Sequence, residues 1–247
     1  MQAVILAAGI AKRLRPLTNN TPKCLLSIGN NNLLHKTIEN IVNSGINDFI
    51  FVLGYKENMI KDYLSENFPD INKIILTNPD YENNNNSYSL WMTKEYLKGD
   101  MLLLDSDILF DKEIITKLIN SNRENCLAVN VTGKLDAEQI KVIVDEQNKI
   151  LHIGKEISIK ESIGESIGIE KFSKYYLKDL FDILDRKIIN ENNVNEFYEA
   201  SFQEIIDKKD LRNSLYCIDV SDYECMEIDT IEDYNCAFNL HTNLKGN

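Results

Sequence analysis

Through the first half of the chain, short apolar runs alternate with segments of helical periodicity, and this limits the fold more than any other feature. Ala3–Leu6 is apolar and ends in Ala-Ala-Gly; Asp48–Leu53, Lys73–Thr77 and Met101–Leu104 repeat the type, and Cys126–Val131 reads as a further strand. Runs without polar alternation suit strands covered on both faces, as in parallel sheets. Between them, Leu33–Val42 has helical spacing with Gly45 as its stop, and Lys56–Asn67 and Asp111–Asn120 read the same way. Ser87–Leu97 predicts another helix, capped by Asn86 or Ser87. A βαβα order winds a mostly parallel sheet with helices on both faces.

The pattern then changes. Ile140–Val144 and Ile150–Ile153 flank a Glu-Gln-Asn-Lys turn and predict a hairpin, a small β-rich insertion. Helices are expected over Ser173–Ile189 and Glu199–Lys208, strands over Ser214–Val220 and Met226–Ile228, and a closing helix over Ile231–Leu240. The chain has 247 residues, no internal repeat and no linker rich in Gly, Ser and Pro. One domain with two halves, 1–132 and 133–247, is the expectation.

Charge narrows the partners. The net charge of −12 disfavours nucleic acid and anionic membranes. Its distribution says more. Residues 1–38 contain Lys12, Arg13, Arg15, Lys23 and Lys36 and no carboxylate, whereas residues 213–244 contain Asp219, Asp222, Glu224, Glu227, Asp229, Glu232 and Asp233 and no Lys or Arg. A cationic loop and an anionic cluster would suit a polyphosphate and its divalent metal respectively; two solvated faces would look the same by charge alone. Cys24, Cys126, Cys217, Cys225 and Cys236 are dispersed and read as reduced packing thiols. Three histidines argue against a catalytic triad or a His-rich metal centre. No apolar run approaches the ~20 residues of a bilayer span, and QAVILAAG is not a signal peptide, so the cytoplasm is expected.

In doubly wound sheets, ligands sit beyond the carboxyl ends of strands, where loops offer free N–H groups. Ala7, Ala8 and Gly9 follow Leu6 and are small enough for backbone to approach a phosphate or a base. Arg13 and Lys23 supply charge, and Pro16 and Pro22 restrict the loop that carries them. Neither GxGxxG nor GxxxxGK[ST] is present. The segment GIAKRLRPLTNNTPK instead resembles the GxGxRLxPLTxxxPK signature of the sugar-phosphate and choline-phosphate nucleotidyltransferases, with Ala11 in place of the second glycine. The resemblance implies a Rossmann-like, doubly wound mixed α/β fold, with residues 1–132 binding nucleotide and 133–247 binding the acceptor.

It also implies roles for particular residues. Asp105 and Asp107 follow a strand, and Glu227 and Asp229 lie in MEIDTIEDY, which is similar to the family's carboxyl-terminal acidic segment. Asp107 and Asp229 are thereby expected to hold Mg²⁺, with Asp105 and Glu227 behind them; as isolated residues they would read as turn and helix caps. NNSYSLW resembles the choline-phosphate cytidylyltransferase branch, so Asn86 and Ser89 are expected to read the base and to favour CTP, with Leu6 to Gly9 beneath the nucleotide. GKEI and GESIGIEKFS also resemble that branch, placing Lys155 on the acceptor's phosphate; Glu165, Tyr198 and Glu199 are expected to line the acceptor pocket.

The expected activity is Mg²⁺-dependent transfer of CMP from CTP to phosphocholine, an aminoethylphosphonate or a phosphorylated amino-acid-like compound. Pyrophosphate would be released, and the product would serve cell-surface polysaccharide decoration. Arg13, Lys23 and Lys155 would carry the catalytic charge. A choline head would want an aromatic cage, for which Tyr81, Tyr88, Trp91, Phe197 and Tyr198 are available; an amine would want carboxylates. Two alternatives remain open: a hexose-1-phosphate nucleotidyltransferase using UTP or dTTP, and a non-catalytic nucleotide-binding regulator. A monomer or homodimer is expected.

Overall fold

The computed structural model describes residues 1–133 and 135–243. In chain order the first half holds β1 (Gln2–Ala7), a two-strand ribbon β2 (Ser27–Ile28) and β3 (Asn31–Asn32), α1 (Leu33–Asn43), β4 (Asp48–Leu53), α2 (Glu57–Asn67) and β5 (Asn72–Thr77). Then come α3 (Asn86–Trp91), β6 (Met101–Asp105), β7 (Ile108–Phe110), α4 (Glu113–Asn120) and β8 (Cys126–Asn130). The remainder is β9 (Lys141–Val144), β10 (Ile150–Gly154), β11 (Gly164–Phe172), α5 (Lys174–Asp185), α6 (Glu199–Asp207), β12 (Tyr216–Asp219), β13 (Cys225–Glu227) and α7 (Ile231–Asn243). No described helix is long and apolar enough to cross a membrane.

One nine-stranded sheet organises both halves. Its main path runs β10-β9-β11-β6-β1-β4-β5, and β8 joins β11 to β12. The β6, β1, β4 and β5 pairings are all parallel, as the apolar runs predict. Successive residues of β1 bury on opposite faces: Ala3, Ile5 and Ala7 pack with α1, α2 and α4, while Val4 and Leu6 pack with α5 and α6. Every residue of β1 is buried, which is why the strand shows no polar alternation.

Of the strands missing from the sequence reading, β2, β3, β7 and β11, the long β11 matters most to the sheet. It lies antiparallel to β6, β8 and β9 at once and so joins the halves. Gly164, Glu165, Gly168, Glu170 and Lys171 interrupt its apolar pattern, yet the charged ones are buried or half-buried. Lys171 does so by donating to the carbonyls of Leu118 (2.6 Å) and Ser121 (3.0 Å). Gly168 has φ +68° where β11 shifts register against β8, and a Cβ there would meet Asp105 Oδ2 at 3.0 Å.

The helix expected over Ser87–Leu97 is shorter. Asn85, not Asn86 or Ser87, is its cap, accepting from the Asn86 N–H at 2.8 Å. It stops after Trp91, where the buried Thr93 hydroxyl donates to the Leu90 carbonyl at 2.7 Å, and a separate turn covers Lys94–Tyr96.

Candidate active site

Strand order places the site. The chain steps outward from β1 to β4 and β5, then returns to β6 on the other side of β1. That reversal opens a crevice at the carboxyl ends of β1 and β6, where Leu6 stands opposite Asp105. A cleft of about 760 Å³ occupies it, within the range of small-molecule sites. Leu6, Ala7, Ala8 and Gly9 form part of its wall. A Cβ on Gly9 would touch no protein atom within 4 Å, so its absence widens the cleft and answers no packing demand.

The loop after β1 is fastened at several points. Ala11 adopts the left-handed region (φ 52°), and its carbonyl accepts from the Thr18 hydroxyl at 2.9 Å. Tyr55 donates to the carbonyls of Thr18 and Asn19 at 2.8 and 2.9 Å. Leu14 is buried with Leu26, Leu33, Leu109, Ile228 and Ala237, which ties the loop to the carboxyl-terminal segment. There β13 pairs antiparallel with β7, setting Glu227 opposite Ile108, and the Ile228 N–H donates to the Asp107 carbonyl at 3.0 Å. This ribbon brings Asp229 beside Asp107, residues far apart in sequence.

The charges then meet. Lys23 Nζ lies 2.8 Å from Asp107 Oδ2 and 2.6 Å from Asp229 Oδ1, and Arg13 lies 2.5 Å from Asp229 Oδ2. The Lys23 side chain is 10% exposed and that of Arg13 61%, so Lys23 is the enclosed cation. Burial works against the charge of Lys23, but Asp107 and Asp229 raise its pKa above the ordinary lysine value. Burial likewise pushes Asp229 up, and Lys23 and Arg13 overcome it to hold the carboxyl below its usual range. Glu227 reaches solvent at the cleft mouth, yet desolvation by the walls, then the carboxylates of Asp107, Asp229 and Glu165, push it to about 8. Asp105 is driven well up by burial and then by Asp107, Glu199 and Glu227.

The donor set fits a divalent ion shared with a ligand. Asp107 Oδ1 is buried without a hydrogen-bond partner, which marks a position prepared for a cation or donor. Among the described residues no group of three or more His, Cys, Asp or Glu side chains forms a complete protein cage. Two aspartates facing an open cleft match Mg²⁺, which takes one or two carboxylates and completes its shell with phosphate oxygens and water.

On the β5 side the cleft is lined by amides. Asn78, 1% exposed, donates to Asn84 Oδ1 at 2.8 Å and Ser89 Oγ at 3.0 Å, and Asn84 donates back at 3.1 Å. Asn86 also lines the cleft, its Oδ1 accepting from the Tyr198 N–H at 3.0 Å. The far end gathers Lys155, Glu165 and Glu199. Lys155 Nζ is 3.7 Å from Glu138 and 4.5 Å from the centre of the Phe197 ring. Glu165 accepts from Gln139 at 2.7 Å; burial, then Asp136, push its carboxyl to about 7 despite that hydrogen bond.

Of the residues given catalytic, nucleotide, metal or acceptor roles from sequence, all but one, Tyr198, line this cleft; the cage candidates Tyr88 and Trp91 also lie outside it. Tyr198 is fully buried behind the wall, where its hydroxyl donates to Asp105 Oδ2 at 3.0 Å and lies 3.5 Å from Glu170. Its ring packs on Phe202 of α6, with ring centres 5.1 Å apart, and only its polar tip reaches the charged layer. Asn78 and Gln139 were not anticipated. Asn78 follows an apolar strand without a motif, and Gln139 lies in a polar loop with no local signature.

Residues 2–153 match the nucleotidyl transferase family. A CTP:phosphoglutamine cytidylyltransferase from Campylobacter jejuni is 30% identical across 94% of this chain and 97% of its own. A choline-phosphate cytidylyltransferase from Streptococcus pneumoniae is 37% identical over 51% of this chain and 56% of its own. Among solved structures, the inositol-1-phosphate CTP transferase from T. maritima shares the fold with a TM-score of 0.80 at 23% identity, over 99% of this chain and 96% of that one.

Proposed function

Because the chain belongs to the nucleotidyl transferase family, we propose that it is a cytidylyltransferase that moves CMP from CTP to a small phosphorylated or phosphonate acceptor, releasing pyrophosphate. The observation that carries this reading is the meeting of Lys23 with Asp107 and Asp229 at the sheet's switch point. Relatives acting on phosphoglutamine and choline phosphate support both the donor and the acceptor class.

The acceptor oxygen is anionic near neutral pH, so it needs no general base to attack the α-phosphorus. The bond formed joins acceptor oxygen to phosphorus, and the bond broken releases pyrophosphate. The protein's task is to align two polyanions and offset their repulsion. Lys23 and Arg13 hold the triphosphate with Leu6 to Gly9 beneath it, Lys155 holds the acceptor's phosphate, and Glu165 and Glu199 stand at the acceptor end. Asn86, Ser89 and the Asn78–Asn84 pair offer the donors and acceptors that a pyrimidine edge requires. Asp107 and Asp229 would hold Mg²⁺, which neutralises phosphate charge that builds during transfer.

Pyrophosphate release, measured with four NTPs crossed against phosphocholine, aminoethylphosphonate, phosphorylated amino acids and sugar phosphates, tests the proposal. Release confined to CTP with amine-bearing acceptors is expected. Release with UTP or dTTP and a hexose 1-phosphate would replace it with sugar-nucleotide synthesis, and CTP binding without any release would make the protein a regulator.

A further inference from the structure

We infer that the acceptor carries, besides its phosphate or phosphonate, an ammonium group that still bears N–H bonds, and that Glu199 receives it. The inference rests on the cytidylyltransferase reading of the same cleft and narrows its acceptor.

Glu199 opens α6 and lines the far end of the cleft while only 6% exposed. Its Oε2 is buried with no hydrogen-bond partner. A desolvated carboxylate oxygen left unpaired is costly, and a ligand donor would relieve the cost. The nearby protein donors are engaged elsewhere. Lys155 sits between Glu138 and the Phe197 ring, and Gln139 donates to Glu165. Among the described residues, Asp136, Glu138, Glu165 and Glu199 share this end of the cleft with Lys155, while Lys141 stands behind the Asp136–Gln139 loop; four carboxylates against two lysines is an excess of negative charge that favours a cation.

The type of cation follows from the aromatic groups. A quaternary ammonium has no N–H to give and is recognised through ring faces. Of the five aromatic residues that could form a cage, Tyr88 is packed on Trp91 with ring centres 5.4 Å apart, Trp91 donates to Asp185 at 2.8 Å, and Tyr198 is enclosed. Tyr81 lines the cleft but stands against Gly54 and Tyr55 beside the loop after β1. Phe197 alone remains, and the Lys155 ammonium already lies over its ring. A second cation on that ring would meet like charge, whereas an N–H at Glu199 would pair the orphaned oxygen.

The test is a graded acceptor series with saturating CTP: phosphoethanolamine, its mono- and dimethyl derivatives, phosphocholine, and 2-hydroxyethyl phosphate as the uncharged member. In the wild-type enzyme kcat/KM should fall about tenfold or more at the step that removes the last N–H, the scale of one charge-assisted hydrogen bond. Glu199→Gln should shrink that step to about threefold or less. Phosphocholine used as well as phosphoethanolamine, a comparison that needs no variant, overturns the inference alone. Persistence of the step in Glu199→Gln removes Glu199 from it. No pyrophosphate from CTP with any member, when a sugar phosphate gives it, overturns the cytidylyltransferase reading and the inference together.

Discussion

Lys23 Nζ stands 2.6 Å from Asp229 Oδ1 while also reaching Asp107, so one ammonium pairs with both carboxylates proposed to hold a metal ion. An incoming ion must displace that charge. A triphosphate makes the exchange favourable, because its oxygens offer Lys23 and Arg13 new partners as the aspartates are freed. The arrangement would therefore link metal binding to nucleotide binding.

Mn²⁺ binding followed by electron paramagnetic resonance should be weak without nucleotide and tighten when CTP is added. Lys23→Met should bind Mn²⁺ alone about tenfold or more tightly than wild type, since it leaves two aspartates with only Arg13. The same variant should lose on the order of 10²–10³ in kcat, the usual cost of removing a cation or donor that stabilises transferred charge. Equal Mn²⁺ affinity in the two proteins would contradict the competition.

Asp107→Asn should reduce kcat by about 10²-fold or more at saturating Mg²⁺, because a neutral amide is a poorer ligand for a hard cation. Excess chelator should abolish turnover in the wild type and leave its fold intact, as the core of the sheet involves neither aspartate. Turnover near wild type in the variant, read as pyrophosphate release, would remove Asp107 from the metal site.

Ala11 holds φ 52°, where an L side chain costs about 1–2 kcal/mol relative to glycine. Glycine returns part of that gain through the greater freedom of the unfolded chain, about 0.4–1 kcal/mol. Ala11→Gly should therefore stabilise the protein by about 0.5–1 kcal/mol, visible as a higher urea midpoint with an unchanged slope. A lower midpoint would show that the alanine methyl packs better than its backbone suggests.

That alanine also shows what a sequence can convey. The loop and the parallel strands were legible because each carries its own local signal: small residues, fixed prolines and unbroken apolar runs. Strand β11 was not, because its glycines and charges are accommodated by partners elsewhere, such as the Leu118 carbonyl under Lys171. Tyr198 is expected at the acceptor from the family resemblance alone, and only its packing on Phe202 turns its ring into the wall. The Asn78–Asn84 pair depends on how one strand end meets the next loop, which spacing alone does not specify.

Glu170 is fully buried on β11, and its Oε2 has no partner. Burial, followed by the charges of Asp105 and Glu199, raises its pKa well above the ordinary value. The folded protein thus retains a proton that the unfolded chain gives up, so ionisation opposes folding as pH rises above the unfolded value near 4.3. Glu170→Gln keeps the shape and removes the charge. Its thermal midpoint should equal or exceed that of wild type, with a margin that widens from pH 5 to pH 8. A margin independent of pH would mean that Glu170 is already paired.

The acceptor should bind with a pH dependence set by Glu199. Burial pushes this carboxyl to about 7, while its own backbone N–H and Lys155, just after β10, act to lower it. Asp105 of β6 and Glu170 of β11 lie close enough to feel its charge, and Glu138 and Glu165 share its end of the cleft. An ammonium prefers the ionised form, so binding below pH 7 must expel a proton. KM for phosphoethanolamine should rise toward acid pH with a break near 7 and stay level above it. The substrate's own phosphate protonates near pH 6 and adds a second, lower break. Glu199→Gln should abolish the upper break and keep the lower one, which separates the protein's group from the ligand's. Calorimetry in buffers of different ionisation enthalpy should show protons released on binding to wild type at pH 6.5, and fewer released with the variant.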